Sequence, residues 1–216
     1  MNTAEMSMKP PLISRLARLA RVSQVSQVSQ LALLSLVLVA LTACGIGPKP
    51  KEPLGAYDFG LPGAAPVVTV KGLHQVQVSA PVWMDGPALY YRLGYANAAR
   101  PAAYAQTRWV AAPSHLIEAR LRERAVAGGV LLGSSGPVLR VEIDEFTQLF
   151  DQEKSSRALL RARASLSVNK DVTAQRAFLI EVPAASADGP GGAAALAQAA
   201  NRLVDDVLAW AGTNVK

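Results

Sequence analysis

Seven side chains in this sequence could carry chemistry. Four are acids that lie close together, Glu142, Asp144, Glu145 and Asp151, a grouping that could hold a metal ion or share acid–base work. Two are the only histidines, His74 and His115, and the seventh is the only cysteine, Cys44. The acids sit in a strand-like run and face arginines across an expected hairpin, so a charge-paired, solvated sheet surface is the better reading. His74 falls in an expected strand and His115 in the first turn of an expected helix, and nothing in the spacing pairs them, so both read as structural. Gly133-Ser134-Ser135-Gly136 reads as a turn and lacks the Gly-x-Ser-x-Gly spacing of a nucleophile elbow. The sequence contains no His-Glu-x-x-His motif, no phosphate-binding loop and no dinucleotide fingerprint. No catalytic residue, no metal site and no enzyme activity are expected.

Cys44 is different, because its neighbours define what happens to it. Leu41-Thr42-Ala43-Cys44 places the cysteine after a small-residue pair at the end of an apolar run, Leu31 to Ala43. Bacterial lipoprotein signal peptidase cleaves this arrangement and leaves an acylated cysteine as residue one. Lys9, Arg15, Arg18 and Arg21 make the preceding segment basic, and the thirteen-residue apolar run is short of the ~20 residues that span a bilayer. An uncleaved membrane anchor is the alternative, and the length and the Ala-Cys ending argue against it. Met6 and Met8 are alternative starts, and the repeat from Val22-Ser23-Gln24 through Val28-Ser29-Gln30 leaves with the signal. Residues 1–43 are therefore expected to be a lipoprotein signal peptide. Leu41, Thr42 and Ala43 form the peptidase recognition site, and Cys44 is the lipid attachment point, carrying diacylglycerol and a palmitate-type acyl chain. No other cofactor is expected.

The signal also accounts for much of the basic character. The chain has 22 basic and 16 acidic residues, of which residues 1–43 hold four and one, leaving 18 against 15, a net of +3. With no basic run and no interleaving of basic and aromatic residues, nucleic-acid binding is not expected. Beyond Cys44 no cysteine is available for a disulfide, so stability must come from a core, for which about 173 residues are ample. Gly45 follows the cysteine, where an aspartate would favour retention at the inner membrane, so the expected address is the outer membrane, facing the periplasm. Residues 44–56 hold three prolines and little to bury, and read as an extended tether of roughly 35 Å.

Residues 57–216 read as one domain. Val67-Val68-Thr69-Val70, the alternating run His74 to Ser79, Ala88 to Leu93 and Tyr104 to Trp109 have strand character. Pro113 opens a helix in which Leu116, Ile117, Leu121 and Ala125 recur at helical spacing. Its charged residues, Glu118, Arg120, Arg122, Glu123 and Arg124, read as a solvated face. Pro137 to Asp151 and Ser156 to Val168 alternate clearly and are joined by a short polar link, so an antiparallel hairpin is expected, with Glu142 opposite Arg163 and Asp144 opposite Arg161. Asn169-Lys170-Asp171 is a turn, Ala177 to Val182 a further strand, and Pro183 to Gly192 a loop. The chain then closes with an amphipathic helix over 193–211, on which Leu196, Ala200, Leu203, Val207 and Trp210 form the apolar stripe. The expected fold is α/β or α+β, a mixed sheet of about five to six strands with two packed helices in the order three strands, helix, three strands, helix.

Several of these segments carry a resemblance. Ala80-Pro81-Val82-Trp83-Met84-Asp85, Tyr90-Tyr91-Arg92-Leu93, Tyr104, Arg108-Trp109 and the helix around Leu116 and Leu121 follow, in order, the pattern of the ABC-type transport auxiliary lipoprotein family, the PqiC-like lipoproteins. Tyr57-Asp58-Phe59-Gly60 takes the place of that family's short Tyr-x-Leu strand. The resemblance spans about residues 55–211, and Gly94 to Ala103 does not align. It implies an auxiliary component of an MCE-type ABC transport system for lipids or other hydrophobic compounds, docking on an MCE-family protein without catalysis. Trp83, Tyr90, Tyr91 and Trp109 are the candidate partner-interface residues, since Trp and Tyr are enriched at binding hot spots. For Trp109 a place in the core is the competing reading, and alternation sends one of Tyr90 and Tyr91 inward. Association with further copies of the chain is left open. The alternatives are a carrier of lipid or a small ligand in an apolar pocket, and an envelope-assembly lipoprotein unrelated to a transporter.

Overall fold

Three consecutive long strands dominate the architecture: β5 (Val138–Gln152), β6 (Ser155–Val168) and β7 (Asp171–Pro183), paired antiparallel in chain order. The computed structural model describes residues 55–61, 63, 72–129, 133 and 135–215. The expected strand Val67 to Val70, the signal segment and Cys44 lie outside the described residues. Ahead of β5 come β1 (Gly55–Tyr57), β2 (Gln75–Ser79), β3 (Ala88–Leu93), a one-turn helix α1 (Gly94–Asn97), β4 (Ala98–Trp109) and α2 (Pro113–Ala127). The chain ends with α3 (Gly189–Asn214). The strands form one open mixed sheet in the order β1-β4-β3-β5-β6-β7, with β2 also paired to β5. This is the expected mixed α/β sheet, with seven strands and three helices among the described residues.

Strand β5 organises the sheet. One edge pairs with β6 along its length, while the other is shared by β2, parallel from Val138 to Glu142, and β3, parallel from Thr147 to Phe150. Between the two lies a bulge at Asp144. It shifts the alternation: Leu139, Val141 and Ile143 are buried before it, Phe146, Gln148 and Phe150 after it. The hairpin register is therefore half as expected. Glu142 does face Arg163, but the residue paired with Arg161 is Glu145, because the bulged Asp144 has no partner in the ladder. Asp144 turns to Arg163, 3.0 Å away, which also holds Glu142 at 3.0 Å.

Both long helices contribute to one core on a single face of the sheet. Ile117, Leu121 and Ala125 of α2 and Leu196, Ala200, Leu203, Val204 and Val207 of α3 are buried there with the inward residues of β5, β6 and β7. Inward positions of β6 are Ala158, Leu160, Ala162, Ala164 and Leu166, and their small side chains suit the alanine-rich start of α3. That start is where the expected loop 183–192 proves shorter. Asp188 caps the helix by accepting from the Gly191 N–H at 2.8 Å, and Pro190 sits in its first turn. The glycines serve proximity to the sheet: a Cβ on Gly192 would lie 2.0 Å from Gln148 Oε1.

Three more expectations change. β1 pairs parallel with Thr107 to Trp109, so Gly55 and Ala56, expected in the tether, belong to the sheet. The charged face of α2 is not simply solvated. Glu118 accepts from the Val78 N–H at 3.0 Å and pairs with Arg122 at 2.7 Å, satisfying an edge group of β2, while the buried Arg120 donates to the Gly60 carbonyl. Finally, α1 interrupts the run between β3 and β4, where the alanine-rich sequence gave no pattern to read.

Candidate interaction surface

The sheet's second face carries no helix among the described residues. Its outward positions on β5, β6 and β7 hold arginines and acids in pairs: Arg163 with Glu142 and Asp144, and Arg157 with Asp151 and Glu181. Hydrogen bonding to these acids holds the Arg157 and Arg163 guanidinium pKa values above their ordinary range. With Glu145 held by Arg92, each of the four acids read from the sequence is matched by an arginine. Among the described residues no three His, Cys, Asp or Glu side chains converge to hold a metal. His74 Nδ1 lies 2.7 Å from the Gly133 carbonyl oxygen, while His115 is exposed on α2.

At the β3 end of this face the character changes from charged to aromatic. Pro81 leads into a single 3-10 turn, Val82–Met84, which buries Met84 and turns Trp83 over the outward side of β3. There Trp83 meets Tyr90 edge to face, with ring centroids 5.2 Å apart, and the Arg92 guanidinium lies 5.6 Å from the Trp83 ring centre. Trp83 retains 37% of its surface and its neighbour Val82 retains 90%. Tyr90 and Arg92 share this face because they are two apart on one strand.

Arg92 is the fixed centre of the patch. Its Nε and Nη2 donate to the two carboxylate oxygens of Glu145 at 2.9 and 3.0 Å, and Nη1 donates to the Ala98 carbonyl at 3.0 Å. Thr147 Oγ1 donates to Glu145 at 2.8 Å. The pair is largely shielded, with the Arg92 and Glu145 side chains 16% and 8% exposed. A forked guanidinium held on a buried carboxylate gives the aromatic patch a rigid backing.

The four candidate interface residues separate. Trp83 and Tyr90 come together on the helix-free face. Tyr91 points to the opposite face, where it packs on Tyr104 at 4.7 Å and Phe150 at 5.9 Å. Burial, followed by the proximity of Tyr91 and Asp188, pushes the Tyr104 phenol up in pKa, and its hydroxyl donates to Gln148 Oε1 at 2.8 Å. Tyr91 also borders a surface opening of about 360 Å³ with Leu93, Ala96, Arg100 and Ala102. Trp109 is a core residue, 1% exposed, wedged between Phe59 and Phe146 at 5.5 and 5.6 Å, and so leaves the interface set. Arg92 and Val82 adjoin the Trp83–Tyr90 pair on this face. The i, i+2 spacing of Tyr90 and Arg92 was the available signal for the arginine, while the exposure of Val82 depends on the 3-10 turn.

With this geometry in hand, comparisons place the chain among known proteins. The family model described as "ABC-type transport auxiliary lipoprotein component" matches residues 60–208. No curated protein sequence matches the chain. Among solved structures, a Xanthomonas campestris protein of the DUF330 family is similar over 69% of this chain and 90% of its own, with 19% identity and a TM-score of 0.61. An uncharacterised protein is similar over 73% and 97%, with 16% identity and a TM-score of 0.56. At these identities the two structures share the fold.

Proposed function

The chain belongs to the family of ABC-type transport auxiliary lipoprotein components, and from that premise we propose that it is an outer-membrane-anchored, periplasm-facing lipoprotein that docks on an MCE-family protein. In this role it serves an ABC transport system for lipids or other hydrophobic compounds and performs no catalysis. The acyl chains of Cys44 hold it at the membrane, and no helix among the described residues is long and apolar enough to cross one. The observation that carries the docking role is the patch of Trp83, Tyr90 and Arg92 on the helix-free face. It joins the residue types enriched at binding hot spots to a rigid, ion-paired base.

Copurification from detergent-solubilised membranes tests it, with an MCE-family protein of the same cell as bait. Trp83→Ala is expected to weaken capture by about 2 kcal/mol, roughly thirtyfold, as for a hot-spot aromatic. Its melting temperature should change little, because the ring is partly exposed. Wild-type capture by both the W83A variant and a Tyr90→Ala variant would remove this face from the interface.

A further inference from the structure

The turn that joins β6 to β7 is conformationally unusual. Val168 pairs with Asp171, so the loop consists of Asn169 and Lys170 alone, with φ of 49° and 75°. Two consecutive residues of positive φ define a type I′ turn, which favours asparagine first and glycine second. Asparagine tolerates the left-handed region, whereas lysine has no local hydrogen bond to offset the crowding of its Cβ. Among the described residues Asn169 and Lys170 are the only non-glycines with positive φ. Strain kept in this way points to a use for the side chain.

Lys170 borders an opening of about 350 Å³ at this end of the sheet, whose wall also includes His74, Ser135, Arg140, Ser167 and Asn169. The basic side chains come from three separate places, ahead of β2, on β5 and in the β6–β7 turn, and no carboxylate lines the opening among the described residues. Arg140 is held by neutral groups, donating from Nε to Gln77 Oε1 at 2.9 Å and from Nη1 to Ser167 Oγ at 2.7 Å. Arg92, Arg157 and Arg163 each have a carboxylate, but Arg140 has none among the described residues. Its charge is therefore positioned without being neutralised. His74 is fixed by its contact with the Gly133 carbonyl.

We propose that this opening binds a phosphate group, either free or on a lipid head group. Arg140 and Lys170 supply the opposing charge, and Ser135 and Asn169 supply neutral donors around it. Its lining residues are distinct from those of the docking patch.

The test uses the full processed protein in neutral detergent. Titration calorimetry with inorganic phosphate and with dihexanoyl phosphatidic acid is compared with chloride at equal ionic strength and with dihexanoyl phosphatidylcholine. Saturable binding of both phosphate probes is expected, and Lys170→Gly and Lys170→Gln should each weaken it at least tenfold. K170G should also melt higher than the wild type, because it relieves the turn, whereas K170Q should not. Tenfold tighter binding of phosphatidic acid than of phosphate assigns a lipid head group, and equal binding assigns the phosphate itself. Heats no different from chloride, wild-type affinity in both variants, or a K170G protein that melts no higher than the wild type would each overturn the proposal.

Discussion

Arg92 combines two contacts that a lysine could not, a two-point hold on Glu145 and a flat face toward Trp83. Replacing it by alanine leaves the Glu145 carboxylate shielded with Thr147 as its remaining side-chain donor. Arg92→Ala should therefore cost about 3–5 kcal/mol, the range for breaking a buried pair from one side. Urea denaturation of the full protein in detergent measures it, and the double variant R92M/E145M should recover most of the loss. A single variant within about 1 kcal/mol of the wild type would mean that the pair is effectively solvated. Part of this site was legible in the sequence. Strand alternation separates Tyr90 from Tyr91, and the same rule places Arg92 beside Tyr90. Glu145 was not legible as its partner, since the Asp144 bulge brings two successive acids to the outward face. The core place weighed for Trp109 is the one it takes, although its neighbours Phe59 and Phe146 lie 50 and 37 residues away in the sequence.

Elements with a strong local period were readable almost to the residue. β3 spans Ala88–Leu93 as expected, and β5 and β6 differ from expectation by a residue or so at their ends. What failed was structure dictated by neighbours. β1 has three residues and exists because β4 offers an edge, and the glycine-rich start of α3 has low helix propensity overcome by a cap and by close contact with the sheet. The cap can be tested. Hydrogen bonds from the Ser186 hydroxyl and the Gly191 N–H lower the Asp188 pKa in the folded state. A lowered folded-state pKa stabilises the protein above the ordinary carboxylate range, and that contribution is lost as pH falls through the folded value. Asp188→Ala should cost about 1 kcal/mol at neutral pH. The melting curves of variant and wild type should converge once the carboxyl is protonated in strong acid. A gap that persists unchanged across the titration would assign the effect to packing and remove the charge from the account.

For the molecule as a whole, the decisive question is what holds this surface near its partner. Membership in a lipoprotein family and the Leu41-Thr42-Ala43-Cys44 sequence point to the same answer, an acylated Cys44. One acyl chain alone gives only marginal, reversible membrane binding, at about 0.8 kcal/mol per buried methylene, while two or more give stable anchoring. An acyl anchor would keep the domain at high effective concentration beside any membrane-bound partner without adding a contact. Cys44→Ser in the full chain removes the proposed acylation site and leaves the folded domain's sequence unchanged. Fractionated cells should show the wild type in the outer membrane and the variant absent from it, with loss of the acyl-dependent shift in gel mobility. Capture of the partner in cells should fall with it, while capture by purified protein in detergent, where no membrane concentrates either component, should stay within about twofold of the wild type. A C44S protein that still fractionates with the outer membrane would show that the domain itself, and no lipid, does the anchoring.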